Sequence, residues 1–173
     1  MRSGLAIAVA LLTVLAGSCG YHTAGKVSTL PTQINVLAVP TFVNKTHTYR
    51  VEQVLTAAVV RELTTRTQYR IVNHASSDAD ATLHADVIQA SSAPLTYDST
   101  TGRATSSLVT LTLKISLVDK KGTVLFSNPN YTFREEYEIA RELSSFFNEE
   151  SPAMDRMSRD VARALVSNIL EGF

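Results

Sequence analysis

Few side chains in this sequence could do chemistry, and they stand apart from one another. The single thiol is Cys19, preceded by the small pair Gly17-Ser18. A lone cysteine cannot close an internal disulfide, so its sulfur is left for modification or solvent. The four histidines, His22, His47, His74 and His84, have no partner at metal-ligand spacing such as H-E-x-x-H. His84 lies on an alternating stretch and is expected to face solvent; the others fall in loops. There is no G-x-S-x-G elbow, no phosphate-cradling glycine run and no dinucleotide fingerprint. Glu135, Glu136, Glu138 and Glu142 could supply paired carboxylates, but a solvated strand end is the plainer reading. Asn44-Lys45-Thr46 and Asn130-Tyr131-Thr132 match a glycosylation sequon and carry little weight. These residues point to no enzyme, no metal site and no cofactor.

Cys19 has a context that gives its sulfur a task. Arg2 precedes an apolar run from Leu5 to Leu15, interrupted at Thr13. Such a run makes roughly 16 Å of helix, about half of a bilayer's hydrocarbon core. A positive start, a short apolar stretch and small residues before a cut describe a secretory signal peptide over residues 1–18. Gly17-Ser18-Cys19 resembles a lipobox, the cleavage signal of bacterial lipoproteins, although Ala16 stands where leucine is usual. The resemblance implies that Cys19 is lipidated and becomes the first residue of the mature chain. Gly20 does not resemble the aspartate that retains lipoproteins in the inner membrane, so delivery to the outer membrane is expected.

The elements that follow are read from hydrophobic periodicity. Residues 19–32 form a lipidated N-terminus and tether, and residues 33–173 a single domain. Ile34–Val39, between Pro31 and Pro40, suits a short buried strand. Val51, Val54, Leu55, Ala58, Val59 and Leu63 form a helical stripe, with Thr48 as the expected N-cap and Arg66 at the C-terminal end. Tyr69–Val72 reads as a brief strand. Leu83, Ala85 and Val87 alternate with polar residues, then the pattern blurs toward Pro94, and Leu95–Ser107 is expected to be a loop. Val109 to Leu117 alternates without a break, the clearest strand of the chain. Asp119–Gly122 is a hairpin turn, and Val124 to Ile139 the returning strand, with a bulge or edge feature at Asn128-Pro129-Asn130. Ser151-Pro152 announces a last helix, whose buried stripe is Met154, Met157, Val161, Ala164, Leu165 and Ile169, with Gly172 at its end. The methionines are core filler rather than ligands. The order predicts an α+β fold: a mostly antiparallel β-sheet with two α-helices packed on one face.

Composition narrows the function classes. The full chain has 16 basic and 16 acidic side chains; losing Arg2 with the leader leaves 15 against 16. No field of that size steers a protein onto nucleic acid, and no basic run is present. Downstream of the leader there is no second long apolar stretch, so the expected membrane contact is the N-terminal anchor alone.

Cys19-Gly20-Tyr21-His22, the short tether, the Val39–Thr46 stretch (Val-Pro-x-Phe-x-Asn-x-Thr) and the Val51–Leu63 helix together resemble the LptE-type lipopolysaccharide-assembly lipoproteins of Gram-negative outer membranes. That resemblance implies a small sheet with two helices, lodged as a plug in a large β-barrel partner, LptD, with lipopolysaccharide as the delivered ligand. It carries over one functional residue, Cys19. Lipopolysaccharide presents phosphates, which favour Arg and Lys held on turns. The loop cations clear of helix faces are Arg103, and Lys120 with Lys121 at the following turn. They fall at opposite ends of the Val109–Leu117 strand and are rival sites, with Lys120-Lys121 slightly favoured for its tighter turn and double charge; ordinary solvated turn charges are the plain alternative for all three. An envelope lipoprotein of a secretion-pore or structural type, curli-secretion-like, is the alternative, though it would need a lipid-facing hairpin that the chain does not offer.

Overall fold

The computed structural model describes residues 34–138 and 152–171. The leader, Cys19 and the tether therefore lie outside the described residues, as do Ile139, Glu142, Ser151 and Gly172. In chain order the elements are β1 (Val36–Ala38), β2 (Val43–Asn44), α1 (Val51–Arg66), β3 (Arg70–Val72), β4 (Ala81–Tyr97), β5 (Ala104–Asp119), β6 (Val124–Glu138) and α2 (Pro152–Glu171).

The strands form one six-stranded sheet in the order β3-β1-β4-β5-β6, with β2 also pairing with β4. The long β4–β5 and β5–β6 pairs are antiparallel. β1 lies parallel to both β3 and β4, and β2 parallel to β4. Parallel neighbours need a crossover, which α1 supplies between β1 and β3. Leu83, Ala85 and Val87 of β4 and Val109 to Leu117 of β5 turn one face toward Leu55, Val59 and Leu63 of α1 and Met157, Val161 and Leu165 of α2. Both helices thus share that face. On the other, His84 and Lys114 are exposed, as period-two alternation requires.

Three expectations need correction. β4 does not fade before Pro94, and most of Leu95–Ser107 is strand rather than loop; the connecting turn spans only residues 98–103. The blur has a mechanical cause. Val87 pairs with Leu113 and Gln89 with Thr112, so Ile88 is an extra residue and the side chains beyond it exchange faces. A second correction concerns the start of α1. Thr48 does not cap it: Arg50 occupies the cap position at φ 51 without a side-chain cap bond. Asn44 Nδ2 instead donates to the Thr48 carbonyl at 2.8 Å and to Glu52 Oε2 at 2.9 Å, which commits Thr48 to the loop. In α2, Ala164 is only partly covered, whereas Ala162 and Val166 are buried. The interruption in β6 is a true bulge: Leu113 faces Tyr131 and Ile115 faces Asn128, so Lys114 opposes both Pro129 and Asn130.

Candidate functional site

The two ends of the β4–β5–β6 sheet hold the candidate phosphate contacts, and each end is built differently. At one end, the Asp119–Gly122 turn places Gly122 at φ 85, where a side chain would be strained. The Asp119 carboxylate accepts the backbone N–H of Thr123 and of Lys121, each at 2.8 Å, and Thr123, the largest influence, holds its pKa below the ordinary value. Beside the turn, Asp80 takes the N–H groups of Asn35 (3.0 Å) and Val36 (3.1 Å) on one oxygen and Lys120 Nζ (3.2 Å) on the other. Those bonds, from Asn35 and Val36 first, lower the pKa of Asp80. Lys120 is therefore engaged: it ties the β5–β6 turn to the start of β1. Lys121 is exposed.

The other end is a polar arm. Among the described residues, none between Ser91 and Leu108 belongs to the apolar core. Hydroxyl pairs hold the strands there instead: Ser92 with Ser107, and Thr96 with both Thr105 (2.8 Å) and Ser106 (2.6 Å). The tip is closed by Asp98, whose Oδ1 accepts Thr101 N–H at 2.6 Å, Thr100 N–H at 2.9 Å and the Thr101 hydroxyl at 2.9 Å. These bonds, Thr101 foremost, lower its pKa. Gly102 turns the chain at φ 66. Arg103 stands exposed at this tip, and its guanidinium has no hydrogen-bond or ion-pair partner among the described residues. Leu95 (47% exposed) and Tyr97 (61%) are apolar side chains left in the open nearby.

The structure keeps Arg103 and the Lys120–Lys121 pair apart, at the two ends of a sixteen-residue strand. It does not bring them together on one anion. The sequence reading had no signal for Leu95 and Tyr97, because a run of serines and threonines concealed the strand that carries them. Asp80 was equally hidden, since its partners lie 40 to 45 residues away.

The remaining candidates are dispersed. His47, His74 and His84 are exposed. Among the described residues no group of His, Cys, Asp or Glu could hold a metal ion. Glu135 pairs opposite Val109 and Glu136 opposite Leu108, so these two point to opposite faces of the sheet. Tyr137, its pKa raised by burial and then by Asp160, donates its hydroxyl to Asp160 Oδ2 at 3.2 Å and pins α2 to β6. Among the described residues, no helix is long and apolar enough to cross a membrane.

A family model described as "LptE: Lipopolysaccharide-assembly" matches residues 34–169. No curated protein matches the sequence. Among solved structures, a Xanthomonas campestris protein aligns at TM-score 0.55 and 14% identity, over 82% of this chain and 86% of its own. A hypothetical protein from Chlamydia trachomatis aligns at TM-score 0.53 and 11% identity, over 79% and 95%. Both likenesses are likenesses of fold. Rare lipoprotein B from Shewanella oneidensis aligns at TM-score 0.45 and 15% identity, over 78% and 92%, a score too low to bear on function.

Proposed function

The chain belongs to the LptE family of lipopolysaccharide-assembly proteins, and from that premise we propose that it is the lipid-anchored plug subunit of an outer-membrane lipopolysaccharide translocon. The family match over residues 34–169 carries this reading. Its partner is then a large LptD-like β-barrel, and its anchor the acylated Cys19. Several acyl chains on one cysteine hold a protein at a membrane, at about 0.8 kcal/mol per buried CH₂. A plug does no bond chemistry; it needs rigidity and a hydrophilic outer surface.

The architecture suits that task. The helices close one face of the sheet, and the opposite face presents Thr110, Lys114 and Ser116 to the polar lumen expected of a large barrel. The arm of β4 and β5 reaches beyond the apolar core and ends in Arg103, Leu95 and Tyr97. A cation beside open apolar side chains matches the two parts of lipid A, phosphate and acyl chain. We assign the arm tip as the lipopolysaccharide contact, ahead of Lys120, which Asp80 already holds.

Purification of the full-length protein from its own envelope in mild detergent tests the reading. A large barrel and lipopolysaccharide are expected to co-purify with it. A homo-oligomeric ring without a barrel would overturn the plug and favour a pore subunit.

A further inference from the structure

The outer surface of the helical layer carries a feature that neither the anchor nor the arm uses. Between α1 and the start of α2 runs a groove of about 300 Å³. Its apolar floor is made by Val54, Ala57 and Met154, and its walls by Arg50 and Arg61 on one side and Arg159 on the other. Among the described residues, three guanidinium groups line it against one carboxylate, Asp155, which lies 2.9 Å from Arg159. Arg61 has no side-chain partner among the described residues. Arg50 is held in place by Gln53, at 3.0 Å, and by the Tyr49 ring, at 5.7 Å.

From this charge pattern we infer that the groove docks an extended acidic segment of the barrel partner. The inference rests on the plug reading above. Arg61 lies eleven residues beyond Arg50, about 16 Å along a helix axis. One lipid phosphate spans a few ångströms and could meet only one end. An extended chain covers that length in about five residues, so carboxylates near its two ends would meet both arginines while a small apolar side chain rests on the floor. Guanidinium groups favour planar carboxylates held bidentately. A helix layer covered in this way would fix the plug's orientation, leaving the arm free to meet lipid.

A photo-crosslinking amino acid placed at exposed Ala57 tests this in the full-length chain, co-expressed with its barrel and irradiated in intact envelopes. The expected adduct is to the barrel, at a segment containing acidic residues. Combining it with Arg61→Glu and Arg159→Glu is expected to cut the adduct about tenfold, and with Arg61→Gln severalfold, the milder change guarding against a folding defect. Circular dichroism melts report whether each variant is folded. An adduct to lipid, to a second copy of this chain or to a barrel segment without carboxylates would overturn the inference, as would an adduct indifferent to both charge changes. Barrel co-purification is read in the same preparation. If it persists without the adduct, the groove assignment alone fails; if it is lost in the unsubstituted protein, the plug reading fails with it.

Discussion

Two of the residues with the most at stake, Arg103 and Asp80, differ in how fully the structure has already committed them. Arg103 offers five donors to solvent, and nothing within the described residues competes for them. Lys120 would have to leave Asp80 to reach a phosphate. Arg103→Ala in the full-length protein is accordingly expected to weaken lipid A binding about tenfold, the loss of one charge-assisted hydrogen bond worth roughly 1.5 kcal/mol. The pair Lys120→Ala/Lys121→Ala should weaken it less than about twofold on the same scale. Titration with purified lipid A decides the order, and equal losses at both ends would remove the assignment. Asp80 makes its own prediction through pH. Its folded pKa lies below the ordinary value because Asn35, Val36 and Lys120 stabilise the carboxylate. The unfolded chain therefore takes up a proton first as pH falls. Stability from this group is complete above its unfolded pKa of about 3.9 and is lost as pH drops through that value toward the folded one. Asp80→Asn should lower the urea midpoint at pH 7 and flatten its decline between about pH 5 and pH 3. An unchanged acid slope would mean that the carboxylate holds nothing together.

At the level of elements, β5 was legible and its neighbours were only partly so. Its alternation survives from Val109 to Leu117 because both flanking strands pair with it across the buried face. The bulges fall on those neighbours instead, at Ile88 in β4 and at Pro129-Asn130 in β6, on either side of the level of Leu113. Each absorbs bending that would otherwise break the pattern of β5. Leu113 is fully buried at this level, so Leu113→Ala is expected to cost about 2–5 kcal/mol through lost burial and a cavity. Lys114→Ala, one residue on and facing solvent, should cost less than about 0.5 kcal/mol. Urea midpoints of the two variants separate a one-sided sheet from one buried on both faces, for which the losses would be equal. The same bulges explain what the sequence concealed. Past Ile88 the inward positions become Ala90 and Ser92, and hydroxyl pairs replace apolar contacts, so periodicity has nothing left to report. The strands β1 and β3 were legible as short apolar runs, but their parallel pairing was hidden for another reason: the pairing of Val36 with Arg70 and of Leu37 with Ala81 joins residues more than thirty positions apart. No local signal encodes such contacts. Thr48 does not cap α1 because the helix begins only at Val51, with Arg50 in a left-handed conformation at the cap position.

For the whole molecule, the decisive separation is between what folds the chain and what places it. Every residue of the apolar core lies between Ile34 and Ile169, among the described residues. Cys19 stands fifteen positions upstream of Ile34. Removing its sulfur should therefore leave the sheet and its two helices untouched while removing the membrane affinity that acyl chains supply. Cys19→Ser is expected to keep the stability to urea within about 0.5 kcal/mol of the unsubstituted mature protein, and to shift the chain from the membrane pellet to the soluble fraction. A single residual acyl chain would still give marginal, reversible binding, so complete release is the outcome that matters. Intact mass of the mature protein supplies the companion reading: a chain beginning at residue 19 and heavier by its acyl groups. A mature chain that starts elsewhere, or carries no modification at Cys19, would detach the plug from its anchor. Membrane association without that anchor would point to other contacts, such as the arm tip with lipid or the groove between α1 and α2 with the barrel.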